Sequence, residues 1–150
     1  EMIRGKMEAL GYEVAMHESY YDLALKNGTG KDTLLKSVLI GSTEEFKRKY
    51  DVVFTFINVS GYGQTNNVRM GLSVKHSTEY PWYIREVPSI FVSLNYTNHL
   101  IDIPMAKMFI NAYAPTETVV ECLLRKISGE EPFEGHYEEE VFCGRWDART

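Results

Sequence analysis

The sequence predicts an α/β fold, a three-layer α/β/α sandwich with a mostly parallel sheet of about five strands. Two short apolar runs carry this prediction, Ile90-Phe91-Val92 and Met108-Phe109-Ile110, and each is flanked by turn residues. Unbroken apolar runs of this length are typical of strands covered on both faces, which usually means a parallel sheet. A helix with clear signals at both ends follows the second run, and this order favours helical layers packed on the sheet.

That helix is predicted to begin at Pro115-Thr116-Glu117-Thr118. This segment offers a proline at the first helical position, a hydroxyl cap and an acid facing the positive end of the helix dipole. Gly129 stops the helix, and Pro132 prevents it from continuing. The apolar residues recur at helical spacing and predict one buried stripe: Val119, Val120, Leu123, Leu124 and Ile127.

The beginning of the chain repeats the pairing of helix and strand. Residues 1–10 predict a helix that stops at Gly11, and residues 12–16 predict a short strand after it. One face of the predicted helix holds its apolar residues, Ile3, Met7 and Leu10.

The middle of the chain contains two further predicted helices and the strongest predicted strand. The helices cover residues 31–39 and the segment that starts at Ser42-Thr43-Glu44-Glu45, where a hydroxyl can cap and the acids favour the first turn. Residues 51–59 predict a strand because they are rich in β-branched and aromatic side chains. Trp82 and Tyr83 predict a helical turn whose rings cover the core, with stacking on a sugar ring as the less favoured alternative.

Composition limits the classes of function. A chain of 150 residues can form one domain with a sizeable core, and we expect residues 1–150 to be a single domain. The net charge is -5 and the basic residues are scattered, which argues against nucleic-acid binding. No apolar run reaches the roughly 18 residues of a membrane span, so no membrane association is expected. Residues 1–10 are charged rather than signal-like, and a cytoplasmic location is expected.

Cysteine and histidine patterns indicate no metal centre. Cys122 and Cys143 can be bonded or reduced, and two reduced thiols in an intracellular protein are the favoured interpretation. No zinc spacing occurs, and neither a metal nor another cofactor is expected. The histidines are dispersed along the chain: His17, His76, His99 and His136.

The segment 60–69, which follows the strongest predicted strand, is the candidate binding loop. Ligands gather at the carboxyl ends of strands in a parallel α/β sheet. Asn66, Asn67 and Arg69 offer donors that can hold a sugar hydroxyl or a carboxylate, so they are the predicted substrate-binding residues. A solvated loop closed by local hydrogen bonds is the alternative interpretation of these residues.

Several short segments carry a family resemblance through their order and spacing. They are Pro81-Trp82-Tyr83, Glu86-Val87-Pro88, Phe91-Val92-Ser93-Leu94, His99-Leu100-Ile101-Asp102-Ile103-Pro104, Ile110-Asn111-Ala112-Tyr113 and Phe142-Cys143-Gly144-Arg145-Trp146-Asp147. The chain resembles the C-terminal α/β domain of glycoside hydrolase family 3, in the branch of β-N-acetylhexosaminidase-like enzymes. The resemblance covers most of the sequence.

The resemblance implies a role beside a catalytic domain. In this family the nucleophile and, in this branch, the Asp–His acid/base pair belong to a (β/α)₈ barrel that precedes the α/β domain. The implied partner is therefore that barrel in the same polypeptide, with a carbohydrate substrate at the interface between the two domains. No catalytic residue is expected here, Asp102 and His99 being read as a turn cap and a structural loop residue. The parent is expected to be a glycosidase, and this piece by itself is expected to be inactive.

The chain departs from the family pattern at several points. Asn95-Tyr96-Thr97-Asn98 replaces the usual turn after Leu94, and Glu139-Glu140-Val141 replaces the usual Pro-Val. The opening strand is missing, so we expect a piece of a longer polypeptide that starts inside its first helix. Residues 133–150 are too apolar for a free tail and are expected to dock on this domain or on a neighbour.

Two alternatives from other classes remain open. The first is a stand-alone small-ligand or sugar-binding module that uses the loop 60–69. The second is a structural domain that forms a homodimer through the regions of Trp82 and Trp146.

Overall fold

The computed structural model describes residues 1–17, 25–26, 28, 43–59 and 81–136. They form, in chain order, α1 (Met2–Ala9), α2 (Thr43–Lys49), β1 (Val53–Ile57), a 3-10 helix (Trp82–Arg85), β2 (Ser89–Ser93), a second 3-10 helix (Thr97–Asp102), β3 (Met108–Asn111) and α3 (Glu117–Ile127). Alternating strands and helices of this kind confirm the predicted α/β fold.

The strands β2 and β3 are parallel neighbours. Ile90 is paired with Met108 at the start of the two strands, and Ser93 is paired with Asn111 at their end. The apolar runs that predicted these strands are therefore side by side in register. Because both strands run the same way, their carboxyl ends meet at one edge of the sheet.

The strand β1 lies on the other side of β2, giving the order β1-β2-β3. The amide of Val53 donates to the carbonyl of Pro88 at 2.9 Å, and the amide of Leu94 donates to the carbonyl of Ile57 at 2.9 Å. These bonds join start to start and end to end, so this pair is parallel as well. About five strands were expected; three lie within the described residues, and the total remains a prediction.

The described residues fall into two compact units. The first contains α1, most of β1 and β2, and all of β3 and α3; the second contains α2 and the 3-10 helix Trp82–Arg85. The expectation that residues 1–150 form a single domain stays a prediction.

The core of the first unit lies between the sheet and the pair α1 and α3. Val92 is fully buried, and Leu94 and Met7 are nearly so. On α3 the predicted stripe is confirmed, since Val120, Leu123 and Leu124 are buried, and all of these side chains form one cluster. Burying a side chain of this size stabilises a fold by about 1.5–3 kcal/mol.

The opposite face of the same sheet is covered by the second 3-10 helix and the residue after it. Successive strand residues point to opposite faces, so Phe91 and Ser93 point away from α1 and α3. Both are about 1% exposed. His99 contacts Ser93, and Leu100 and Ile103 are buried beside them.

An ionic contact joins α1 to α3. The ammonium of Lys6 lies 2.8 Å from Glu117 Oε1 and 2.5 Å from Glu121 Oε1. The hydrogen bond to Glu117 and then the one to Glu121 raise the pKa of Lys6. The bond from Lys6 in turn lowers the pKa of Glu121.

The start of α3 corrects the prediction for Pro115. The first helical residue is Glu117, and Thr116 is the N-cap with an extended backbone. The hydroxyl of Thr116 accepts the amide of Val119 at 3.3 Å, which is the bond that defines a cap. Pro115 therefore precedes the cap and is not at the first helical position. At the other end Gly129 adopts a positive φ of 82°, as expected of a glycine that stops a helix.

The N-terminal segment corrects two further predictions. Gly11 has a φ of 91° and follows α1, as predicted, but Leu10 lies beyond the helix and is 38% exposed. Residues 12–16 form no strand, although Tyr12 and Val14 pack against the core cluster. The alternation of apolar and polar residues in this segment indicated that one side of it is buried. A strand also needs a neighbouring strand as its backbone hydrogen-bonding partner, and the described residues provide none.

The second unit holds a cluster of aromatic rings. The ring of Phe46 on α2 is buried, and its centroid lies 4.9 Å from Tyr50, 5.2 Å from Trp82 and 5.6 Å from Tyr83. The predicted helical turn at Trp82 is confirmed as a 3-10 helix. Its rings are half-buried against Phe46, which agrees with the favoured interpretation that they cover a core.

Candidate functional site

Each of the three strands is followed or ended by an asparagine at the carboxyl edge of the sheet. Asn58 follows β1, Asn95 follows β2 by two residues, and Asn111 is the last residue of β3. Exposed tyrosines accompany two of them, Tyr96 at 40% and Tyr113 at 63% exposure. We call these five residues the carboxyl edge. In parallel α/β sheets this is the edge where ligands bind.

A side-chain hydrogen bond orients Asn58. Asn95 Nδ2 donates to Asn58 Oδ1 at 3.0 Å, which ties the end of β2 to the end of β1. Since the oxygen of the exposed Asn58 amide is engaged, its N–H groups are directed away from Asn95. The amide oxygens of Asn95 and Asn111 are buried and accept no hydrogen bond within the part of the chain that is described. Each buried acceptor without a partner costs about 1–3 kcal/mol.

A buried network under the edge shapes the turn after β2. The hydroxyl of Ser93 donates to the carbonyl of Tyr96 at 2.5 Å and accepts the amide of Tyr96 at 3.2 Å. His99 Nδ1 lies 2.7 Å from the same hydroxyl oxygen. The single hydroxyl proton goes to the carbonyl, because a carbonyl can only accept. His99 Nδ1 therefore carries a hydrogen and donates it to Ser93.

This geometry makes His99 a structural residue, as the sequence predicted, although it lies in the 3-10 helix Thr97–Asp102 rather than in a loop. Its side chain is 0% exposed and Ser93 is 1% exposed, so the pair is closed to substrate. The ring of Tyr96 meets the imidazole edge to face, with centroids 5.9 Å apart. His99 and Ser93 thus hold Tyr96 in place at the surface. Asp102 ends the same 3-10 helix, one residue before the buried Ile103.

Tyr113 stands in an unusual backbone conformation. Its φ is 65°, the only positive value at a non-glycine position among the described residues. The amide of Ala114 donates to the carbonyl of Ala112 at 2.9 Å, two residues back. This combination is the positive-φ form of the γ-turn, which is rare and strained. Strain of this kind costs about 1–3 kcal/mol and persists where the surrounding structure imposes it.

The predicted substrate-binding residues Asn66, Asn67 and Arg69 lie outside the described residues, as do His76 and Cys143. Their assignment stays a prediction.

The described histidine and cysteine side chains form no cluster that indicates a metal site. His17 and His136 are exposed, and Cys122 is a half-buried free cysteine. Within the described ranges no group of three His, Cys, Asp or Glu side chains could hold a metal ion. No helix described here is long and apolar enough to cross a membrane.

Sequence reasoning pointed to the carboxyl ends of the strands but did not single out the residues of the carboxyl edge, although a signal was present. Asn58, Asn95 and Asn111 each stand at or just after the end of an apolar run. Three strands of a parallel sheet bring such residues to one edge. Nothing in the sequence indicated the conformation of Tyr113, because turns with positive φ favour glycine, asparagine and aspartate and not tyrosine.

Comparison with known proteins shows which enzymes the chain resembles. No family model matches it. A β-N-acetylglucosaminidase/β-glucosidase of Cellulomonas fimi is 32% identical over 105 residues, which cover 70% of this chain and 19% of that protein. The β-glucoside phosphorylase BglX has a TM-score of 0.70 and 26% identity, over 99% of this chain and 23% of that one. BglX bound to 2FGlc gives a TM-score of 0.64 and 26% identity, over 90% and 21%.

The chain spans about a fifth of the length of these relatives. The sequence likeness, the fold likeness and the parallel sheet agree with the resemblance that the sequence carried. The chain is similar to the C-terminal α/β domains of glycoside hydrolase family 3 enzymes.

Proposed function

We propose that this chain is the non-catalytic C-terminal domain of an enzyme that cleaves β-linked N-acetylhexosaminides, packed on a catalytic (β/α)₈ barrel of the same polypeptide. The observation that carries this proposal is the coverage of the relatives. The chain matches 19% of the Cellulomonas fimi protein and 23% of BglX. The remaining length of such proteins has ample room for a barrel, which takes about 250 residues.

The chemistry of the carboxyl edge supports a non-catalytic role. Glycoside cleavage usually needs two carboxyl groups roughly 5–10 Å apart, one on each side of the scissile bond. Residues 93–101 and 111–116, which follow β2 and β3, contain neither Asp nor Glu. The groups that the edge offers are amides and phenols, which bind and orient a sugar but do not supply this acid and nucleophile.

The names of the relatives support a choice of substrate. The Cellulomonas fimi protein is a β-N-acetylglucosaminidase/β-glucosidase, so a β-N-acetylglucosaminide is the proposed substrate and a β-glucoside the second one. BglX is a β-glucoside phosphorylase. Phosphate is therefore a second candidate for the acceptor, in place of water.

The test compares the parent polypeptide with the 150-residue chain. Both are assayed on p-nitrophenyl β-N-acetylglucosaminide and p-nitrophenyl β-glucoside, each with and without inorganic phosphate. We expect the parent to cleave the N-acetylglucosaminide and the chain to cleave neither. Cleavage by the chain itself, or a parent that lacks a barrel sequence before this domain, would refute the proposal. A sugar phosphate product identifies a phosphorylase.

A stand-alone binding module makes a different prediction. Such a module is heat-stabilised by its sugar through linkage. If the loop 60–69 is responsible, Arg69→Ala should abolish that stabilisation.

A further inference from the structure

We propose that the carboxyl edge is a binding surface for a neutral pyranoside, with the ring of Tyr113 stacked on the sugar and the amide of Asn58 donating to its oxygen atoms. The choice of a β-glucoside or a β-N-acetylglucosaminide as the sugar rests on the proposed function. The surface itself rests on the geometry of the described residues.

The first argument is the conformation of Tyr113. A positive-φ γ-turn is unfavourable for a tyrosine, whereas glycine adopts positive φ without a steric penalty. The ring is 63% exposed, so burial in the core offsets little of this strain. The backbone therefore presents an aromatic ring to solvent at the end of β3, and backbone strain of this kind clusters at ligand-binding sites.

The second argument is the orientation of Asn58. Asn95 places its N–H group on Asn58 Oδ1 at 3.0 Å, while its own buried oxygen accepts no hydrogen bond among the residues described. The arrangement directs the donors of the exposed Asn58 outward and leaves a buried acceptor unsatisfied. An amide held in this way is ready to donate to a sugar oxygen without losing further side-chain freedom on binding.

The third argument is the charge of the edge, which selects the class of ligand. None of the five residues that form the carboxyl edge carries a charge, and the nearby His99 is fully buried. A phosphate or carboxylate ligand would call for a cation. Aromatic faces and neutral amides instead match a sugar, which offers an apolar ring face and hydroxyl groups.

The spacing of the strands completes the surface. Neighbouring strands lie about 4.8 Å apart, so Asn58 at the end of β1 and Tyr113 at the end of β3 are separated by roughly 10 Å along the edge. Tyr96 lies after the central strand and is held by Ser93 and His99. One sugar ring can therefore contact Tyr113 while its substituents reach toward Tyr96 and Asn58.

The experiment measures binding of methyl β-D-glucoside and methyl β-N-acetylglucosaminide to the 150-residue chain by saturation-transfer NMR and calorimetry. The variants are Tyr113→Gly, which removes the ring and suits the turn, and Tyr113→Phe, which keeps the ring. Met108→Ala is the matched control, because Met108 is 43% exposed at the opposite end of β3. We expect Tyr113→Gly to weaken binding about tenfold while Tyr113→Phe and Met108→Ala stay near wild type.

Equal affinity of Tyr113→Gly and wild type would overturn the proposal, and so would the absence of binding by a chain that melts cooperatively. If the chain by itself does not fold, the parent polypeptide replaces it and KM for a disaccharide is the readout. In the parent polypeptide the proposal is overturned by a Tyr113→Gly variant whose KM is unchanged. It is overturned equally by a Tyr113→Gly variant whose melting temperature falls, since that result would mean that Tyr113 contacts the barrel. A parent without glycosidase activity refutes the proposed function, whereas sugar binding that is indifferent to Tyr113 refutes this inference.

Discussion

Replacing Ser93 by alanine tests the buried network that shapes the turn at the carboxyl edge. The substitution removes the group that accepts from His99 Nδ1 at 2.7 Å and that bonds both the amide and the carbonyl of Tyr96. His99 is fully buried, so its N–H is left without this acceptor at a cost of about 1–3 kcal/mol. The bonds to Tyr96 are only partly buried and contribute about 0.5–1.5 kcal/mol each. These contributions add to about 2–6 kcal/mol, which is the expected loss in the free energy of unfolding of Ser93→Ala.

The control is Ser89→Ala on the same strand. Ser89 is also buried, but its hydroxyl has one partner among the described bonds, the carbonyl of Val87 at 2.8 Å. Its loss should cost about 1 kcal/mol. Urea unfolding measures both values, and with a slope of about 2 kcal/mol/M the midpoint of Ser93→Ala falls by about 1–3 M. A Ser93→Ala variant no less stable than Ser89→Ala would refute the assigned network.

A double variant separates loss of packing from loss of hydrogen bonding. In Ser93→Ala with His99→Leu no buried imidazole N–H remains to be satisfied. The two substitutions should therefore destabilise by less than the sum of the single effects, because contacting partners couple. Nitrogen NMR of the wild type should show His99 protonated at Nδ1. An Nδ1 without hydrogen would contradict the proton assignment.

Three other predictions concern stability. Glu121→Gln should flatten the dependence of the free energy of unfolding on pH at the acid end. Lys6 lowers the pKa of Glu121, so the Glu121 carboxylate stabilises the fold above its ordinary pKa, and this stabilisation is lost as the pH falls. An unchanged pH dependence argues against the contact. Thr116→Ala should cost about 1 kcal/mol by removing the cap of α3. Thr118→Ala, at the exposed second residue of the helix, should cost less, and equal losses in thermal melts would place the cap elsewhere. Gly129→Ala should destabilise the fold by about 1 kcal/mol because the φ of Gly129 is 82°. The control, Gly5→Ala inside α1, should be neutral or stabilising. Thermal melts measure both variants, and a Gly129→Ala variant as stable as wild type would contradict the assigned helix stop.

The sequence predicted those parts of the fold that depend on local chemistry. The stripe on α3 and the stop at Gly129 follow from side-chain periodicity and from the conformational freedom of glycine. The start of the same helix was missed by two residues, because Pro115 and Thr116 both carry initiation signals and only the hydrogen bond to Val119 decides between them. Residues 12–16 show the other limit: alternation reports which side chains are buried, whereas a strand depends on a partner distant in the sequence.

The residues of the carboxyl edge could not be identified from the sequence alone. The rule that ligands gather at the carboxyl ends of parallel strands led to the prediction of Asn66, Asn67 and Arg69, which stays untested. Asn58, Asn95 and Asn111 come together only once strand order and register are known. The strained turn at Tyr113 arises from the bond between Ala112 and Ala114, which no pattern of residue types announces.

The packing of α1 on α3 has a consequence for the order in which the chain folds. Lys6 and Glu121 are 115 residues apart in sequence, yet they lie in contact. Closing so long a loop is entropically slow, and contacts of high sequence separation lower folding rates. During synthesis α1 therefore lacks its partner α3 until almost the whole of this domain has emerged from the ribosome. Until then the apolar face of α1 is exposed, so α1 is a surface of this domain to which a chaperone or an aggregating neighbour can bind.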